Sequence, residues 1–106
     1  MEEKPNINYI NELAGDDIAF KKQLITVIKH EFPTEIKTYF ENLEKEDYKK
    51  VASDVHKIKH KISILGLEKS YNFAVDYEDN LKEGNPSLKD GFNAILQNIT
   101  EFLNKL

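Results

Sequence analysis

The sequence predicts an all-α fold: an up-down-up-down antiparallel four-helix bundle with a short extra N-terminal helix. Apolar residues recur at alternating steps of three and four along almost the whole chain, which is the spacing of one helix face. The few glycines and prolines separate these apolar stretches, and no alternating run of apolar and polar residues indicates a strand. The chain of 106 residues is long enough for one hydrophobic core, so we expect a single domain over residues 1–106.

The first part of the chain is predicted to hold two helices. A short one lies near 6–14, and Asp16 or Asp17 is a suitable N-cap for the long segment 17–45 that follows. The apolar stripe of this long segment keeps its phase through Pro33. Because proline removes one backbone hydrogen bond and clashes with the preceding turn, a break is the alternative. The unbroken phase favours one kinked helix.

Three further helices are predicted near 47–65, 67–83 and 88–105. Their apolar positions form seams of the kind that pack a helical bundle. Ser87 is expected to cap the last helix, with Asp90 as its capping-box partner. Since the connections between the helices are short, consecutive long helices should run antiparallel.

The composition argues against several classes of function. The chain has no Cys, hence no disulfide, no thiolate metal site and no cysteine nucleophile. The net charge is −4 and all 15 basic residues are Lys, which disfavours a nucleic-acid partner because base and phosphate recognition prefers the arginine fork. No apolar run approaches the ~20 residues of a membrane span, and the start MEEKPNINYI lacks the features of a secretion signal. We therefore expect a soluble cytoplasmic protein that binds neither membrane nor nucleic acid.

One helix face carries polar residues directly beside the core seam. In the predicted helix 47–65, His56, Lys59, His60 and Ser63 are separated by steps of three and four, so they share a face that borders the core. Three interpretations of this face compete. The simplest is the polar flank of an ordinary bundle helix.

The other two interpretations give the histidines a chemical role. His56 and His60, at i and i+4, can share one metal ion, but the HExxH pattern is absent, and a third ligand such as Glu78 or His30 would have to be brought close by the fold. We therefore predict no metal site. Alternatively, a histidine carries a group, because imidazole, with an ordinary pKa of about 6.5, is a competent nucleophile near neutral pH. A neighbouring lysine would then attract a phosphoryl anion.

The segment His56-Lys57-Ile58-Lys59, followed by Gly66-Leu67, resembles the signature of histidine phosphotransfer domains. That signature is His-x-(Leu/Ile)-Lys-Gly, with a second glycine ten residues after the histidine, and Gly66 stands at this spacing. Glu78 stands twenty-two residues after His56, where the family has a Glu or Gln. The opening INELAGDDIAFKKQLITVI also resembles the start of the family, so the resemblance covers nearly the whole chain.

The resemblance implies a role for each matched position. His56 would be phosphorylated, Lys59 would neutralise the phosphoryl group, and Glu78 would orient the ring by bonding to the nitrogen that is not phosphorylated. Gly66 would end the helix and allow the tight turn to the next one. The family usually has Gly directly after the lysine, whereas this chain has His60. His60 could crowd a partner, act as a second cation, or accept the phosphoryl group itself; we expect His56 to be the acceptor.

The activity that the resemblance implies is a relay between receiver domains. A phosphoryl group would pass from the aspartate of one receiver to His56 and on to the aspartate of another. The expected partners are response regulator receiver domains and hybrid histidine kinases, and the Mg²⁺ would belong to the receiver rather than to this chain. No Gly-rich phosphate loop or kinase motif set is present, so we expect a monomeric phosphocarrier without a cofactor rather than a kinase with its own ATP site.

A rival prediction is a non-catalytic helical interaction module whose histidines are ordinary surface residues. In either case a partner needs an apolar patch on which to dock. Ile7, Ile10 and Leu13 of the first helix, with Ala52 near His56, are candidates for this patch. The same three residues of the first helix could instead cover the end of the core.

Overall fold

Five α-helices make up most of the computed structural model, which describes residues 3–106. In chain order they are α1 (Asn8–Ala14), α2 (Ile18–Glu44), α3 (Tyr48–Ile64), α4 (Glu68–Lys82) and α5 (Lys89–Asn104). The described residues contain no strand. All helix ends lie within two residues of the predicted ones, and the four long helices form the antiparallel bundle. The predicted fold class is confirmed.

The long helix α2 continues through its proline. It runs for 27 residues with Pro33 inside it, so the alternative of a break near Phe32 is wrong. Of the two candidate caps, Asp17 is the N-cap: its Oδ1 accepts a hydrogen bond from the backbone N–H of Phe20 at 2.9 Å. The apolar stripe, which keeps its phase on both sides of Pro33, keeps both halves of the helix against the same core.

The predicted cap of the last helix is wrong. The first residue of α5 is Lys89, Leu88 occupies the N-cap position, and no side chain caps this end. Instead, the backbone N–H of Lys89 donates to the carbonyl of Pro86 at 3.0 Å. Ser87 lies in that turn, and its own N–H donates to Asn85 Oδ1. The proline turn therefore moves the helix start one position beyond the place where the Ser87 hydroxyl could act.

The core lies between the four long helices, with α3 packed between α2 and α4. The predicted seam of α3 is buried, and its fully buried members are Val51, Val55, Ile58, Ile62 and Leu65. On the α2 side of this helix, the buried Lys61 forms ion pairs with Glu31 at 3.1 Å and Glu35 at 2.9 Å. The seam and the ion pairs together fix the rotation of α3 about its axis, which decides where the histidine face points.

A polar cluster lies inside the otherwise apolar core. The hydroxyl of Tyr39 donates to Asn93 Oδ1 at 2.9 Å and lies 2.8 Å from the hydroxyl of Tyr77. Because the single hydroxyl hydrogen of Tyr39 is used toward Asn93, Tyr77 must donate to Tyr39. Burial raises the pKa of Tyr39 far above its ordinary range. The cluster joins α2, α4 and α5 across the core.

The N-terminal segment closes the end of the bundle at the α3–α4 turn. The Glu3 carboxylate accepts from the backbone N–H groups of Lys69 and Ser70, both at 2.7 Å. It thereby caps α4, whose N-cap position is held by an apolar residue without a side-chain hydrogen bond. Ile10 of α1 is fully buried, whereas Leu13 is about half exposed. Ile10 therefore covers the end of the core, as one of the two interpretations of α1 predicted.

Candidate functional site

His56 lies at the border of the bundle, where α3 faces α4. The buried seam through Val55 and Ile58 turns the next flank of α3 toward α4, and this flank carries His56 and Lys59. The side chain of His56 is 55% exposed. One edge of its ring therefore meets a neighbouring helix while the remainder faces solvent.

Glu78 of α4 supplies the group that His56 meets. Its side chain is only 7% exposed, and its Oε2 lies 3.2 Å from His56 Nδ1. Two lysines share the same carboxylate: Lys59 Nζ donates to Oε1 at 2.9 Å, and Lys82 Nζ lies 3.4 Å from Oε2. The structure thus brings together three of the predicted site residues, His56, Lys59 and Glu78, and adds Lys82.

The charge state of Glu78 follows from these contacts. Burial alone would raise its pKa, but the hydrogen bond and charge of Lys59, followed by His56 and Lys82, outweigh the burial and hold the pKa below its ordinary value. The side chain is therefore an ionised carboxylate at neutral pH. An ionised carboxylate only accepts hydrogen bonds, so the nitrogen that faces it must carry the hydrogen.

The carboxylate therefore selects one tautomer of His56. In the neutral ring, a hydrogen on Nδ1 leaves the lone pair on Nε2. No described residue makes a hydrogen bond to Nε2. A half-exposed imidazole with a carboxylate behind one nitrogen and a free lone pair on the other can act as a nucleophile, or as a ligand, toward a molecule that arrives from solvent.

Lys59 lies mostly buried between α3 and α4 and has little contact with solvent. Its side chain is 12% exposed, and its Nζ lies 5.7 Å from the centre of the Tyr71 ring, besides donating to Glu78. The ammonium is thus fixed between a carboxylate and an aromatic face. The contact with a phosphoryl group that the resemblance implies for Lys59 stays a prediction.

His60 lies next to His56 but takes no part in the contacts of Glu78. The two imidazole rings meet edge to face, with centroids 5.2 Å apart and an angle of 81° between their planes. His60 is exposed, and so is His30 on α2. Within residues 3–106, no group of three or more His, Asp or Glu side chains is arranged to hold a metal ion. His30 therefore does not complete a metal site with the other two histidines.

An open groove of about 540 Å³ runs beside the His56 ring. Its lining residues are Lys49, Ala52, Ser53, His56, Glu78 and Lys82. Ala52, one of the residues proposed for docking, is almost completely buried. Sequence reasoning missed Lys82 and Lys49, although Lys82 stands four residues after Glu78, a spacing at which helical side chains of opposite charge meet.

Neither the length and hydropathy of the helices nor comparison with known proteins adds a functional assignment to this site. None of the described helices has the length and apolar character needed to span a bilayer. No protein-family model, curated protein or solved structure matches the chain.

Proposed function

We propose that this chain is a histidine phosphotransfer protein that accepts a phosphoryl group on Nε2 of His56 and passes it on. The observation that carries the proposal is the hydrogen bond between His56 Nδ1 and the buried, ionised carboxylate of Glu78. It leaves a lone pair on the exposed side of the ring. The motif spacing described above supports the same assignment independently of the geometry.

The chemical step uses the two ring nitrogens differently. The Nε2 lone pair attacks the phosphorus of an aspartyl phosphate, a new N–P bond forms, and the O–P bond breaks with its electron pair left on the aspartate carboxylate. The ring keeps its hydrogen on Nδ1 and gains a positive charge. Glu78, 3.2 Å away, stabilises that charge. Transfer in the other direction reverses these steps, because the chain adds little beyond the position and polarisation of the ring.

The expected partners are receiver domains of response regulators and of hybrid histidine kinases. The receiver contributes the aspartate and its Mg²⁺, so this chain is a phosphocarrier without an ATP site of its own. We propose that it acts as a monomer in the cytoplasm. The half-exposed position of His56, beside an open groove, leaves it accessible to a partner's active site.

Transfer from phosphorylated receivers tests the proposal. A panel of receiver domains is charged with a small phosphodonor, and acid-labile label on this protein is measured for the wild type, His56→Gln, His60→Gln and His30→Gln. His30 is the matched control because it is an exposed histidine on another helix. We expect label in all proteins except His56→Gln. Label that disappears only in His60→Gln would move the acceptor by one turn.

A helical interaction module is the second candidate, and one observation favours it. Large apolar side chains are exposed on α1 and on the first turn of α2, namely Tyr9, Leu13, Ile18 and Phe20. Where such side chains form a contiguous patch, they mark a protein-binding surface. If no receiver labels the folded protein, this candidate replaces the relay.

A further inference from the structure

Lys59, the cation that the resemblance assigns to the phosphoryl group, is already engaged by other residues. Its Nζ donates to Glu78 Oε1 at 2.9 Å, and its side chain is 12% exposed. To reach a phosphoryl group on His56 Nε2, this ammonium would have to leave the carboxylate. Its departure would remove the strongest contact that keeps Glu78 ionised. The position of Lys59 therefore suits a residue that acts on Glu78.

Lys82 contacts the same carboxylate but, unlike Lys59, is open to solvent. Its Nζ lies 3.4 Å from Glu78 Oε2, the same oxygen that contacts His56 Nδ1. The ammonium and the ring therefore meet at one atom, but the lysine side chain is 61% exposed. Because the ammonium end of this i, i+4 pair is open to solvent, water can solvate the lysine in place of the carboxylate, so Lys82 can leave this contact at little cost. A new anion on the ring would attract it.

The groove beside His56 has Lys82 in its lining. Helical side chains tilt toward the N-terminus of their helix, so the His56 ring leans over the preceding turn. That turn carries Ala52 and Ser53, and Lys49 lies one turn further toward the start of α3; all three line the groove together with Lys82, whereas Lys59 and His60 do not line it. A phosphoryl group in this groove meets two exposed lysines, one from each helix.

We propose that Lys82, assisted by Lys49, neutralises the phosphoryl group on His56, and that Lys59 is a positioning residue that holds Glu78. This proposal rests on the proposed function of His56 and deepens it. It assigns the groove of Lys49 and Lys82 as the binding site for the phosphoryl oxygens. It also explains why the buried carboxylate has two lysine partners of such different exposure.

The test uses a small phosphodonor, so that it does not depend on finding the right receiver. Phosphoramidate carries the phosphoryl group on an amino nitrogen; the Nε2 lone pair displaces that nitrogen, which takes up a proton and leaves as ammonia. The initial rate of His56 labelling is followed by mass spectrometry of the intact protein. Since the donor is an anion, the rate reports how well the groove neutralises a phosphoryl group.

The variants separate the two lysines. We expect Lys82→Gln to lower the labelling rate about two- to fivefold, the range of an exposed charge pair, and added salt to reduce this difference. Lys82→Arg should keep the wild-type rate. The control is Lys57→Gln, because Lys57 is exposed on α3 but lies outside the groove; it should have no effect.

The role of Lys59 is tested in combination with Glu78. If Lys59 acts through the carboxylate, Lys59→Gln lowers the rate in the wild-type background but adds nothing in a Glu78→Gln background. Lys82→Gln should lower the rate in both backgrounds. A further loss when Lys59→Gln is combined with Glu78→Gln would overturn the positioning role.

The outcomes distinguish failure of this inference from failure of the proposed function. Equal labelling rates for Lys82→Gln and Lys57→Gln, together with normal transfer from receivers to His56, would overturn the role of Lys82 and leave the relay intact. A labelling rate that depends on Lys82, without transfer from any receiver, would support the groove and refute the relay.

Discussion

Replacement of Glu78 by Gln removes the charge of the carboxylate and keeps the shape of the side chain. A hydrogen bond to a charged group contributes about 1.5–3 kcal/mol. Because the His56 side chain is 55% exposed, water can replace part of this contact, and we take about half, or roughly 0.8–1.5 kcal/mol. A loss of this size in the transition state slows the reaction about four- to tenfold. Glu78→Gln should therefore transfer phosphate about four to ten times more slowly than the wild type.

The same substitution also lowers the stability of the fold, and this effect can be worked out separately from the effect on the transfer rate. Lys59 is 12% exposed and has Glu78 as its carboxylate partner, so an amide in place of the carboxylate leaves a nearly buried ammonium poorly neutralised. We expect about 1–2 kcal/mol less free energy of unfolding. This loss leaves the protein folded, so the kinetic effect can be measured without interference from unfolding.

The assay is single-turnover transfer from a phosphorylated receiver, with unfolding by denaturant measured on the same samples. Glu83→Gln is the matched control, because Glu83 is an exposed carboxylate at the end of the same helix. It should leave both the rate and the stability unchanged. A folded Glu78→Gln protein that transfers phosphate at the wild-type rate would refute the claim that the carboxylate prepares the ring.

Three further predictions concern the fold around the site. A non-glycine residue in the left-handed conformation costs about 1–2 kcal/mol. Gly66→Ala should lower the free energy of unfolding, measured with denaturant, by more than this, because the new Cβ would also lie 2.6 Å from Asn6 Nδ2. Tyr39→Phe should cost about 1–3 kcal/mol in the same assay, since it leaves the buried Tyr77 hydroxyl without an acceptor. Burial would raise the pKa of the Glu3 carboxyl, but the hydrogen bonds from the backbone N–H groups of Lys69 and Ser70 lower it below 4.5. The stability that the ionised Glu3 contributes is therefore present above that value and is lost as the pH falls through the folded-state pKa. Wild type and Glu3→Gln should differ in free energy of unfolding at neutral pH and converge in acid.

Each of these predictions has a control and a contradicting result. Gly84 also has a positive φ, but nothing lies within 4 Å of its added Cβ, so Gly84→Ala losing as much stability as Gly66→Ala would contradict the clash. Tyr9 is exposed, and Tyr9→Phe should be neutral; an equally neutral Tyr39→Phe would contradict the buried network. A gap between wild type and Glu3→Gln that stays constant with pH would contradict the role of the Glu3 carboxylate.

The helices could be predicted from the sequence because burial of one face determines the spacing of the apolar residues along each helix. The steps from Val51 to Leu65 follow one face, and that face is buried as predicted. The stripe through Pro33 was also informative, since a helix that keeps packing against one core is held in place despite a lost hydrogen bond. Ser87 was misleading because a local cap preference competes with a proline turn one residue earlier, and the turn decided the start of α5.

The candidate site was only partly predictable, for a different reason. His56 and Glu78 are far apart in sequence, and motif spacing paired them where helix periodicity could not. The engagement of Lys59 by the carboxylate depends on how closely α3 and α4 pack, and no local pattern shows that distance. The cap that Glu3 provides for α4 joins residues from opposite parts of the chain. Contacts of this kind follow from tertiary packing and not from local sequence.

The most direct test of the central claim identifies the atom that receives the phosphoryl group. Protein labelled with ¹⁵N in its histidines is phosphorylated by a charged receiver, and ¹⁵N–³¹P correlation NMR assigns the bonded nitrogen. We predict phosphorus on Nε2 of His56, with Nδ1 still carrying its hydrogen toward Glu78. Phosphorus on Nδ1 of His56, or on His60 or His30, would contradict the account.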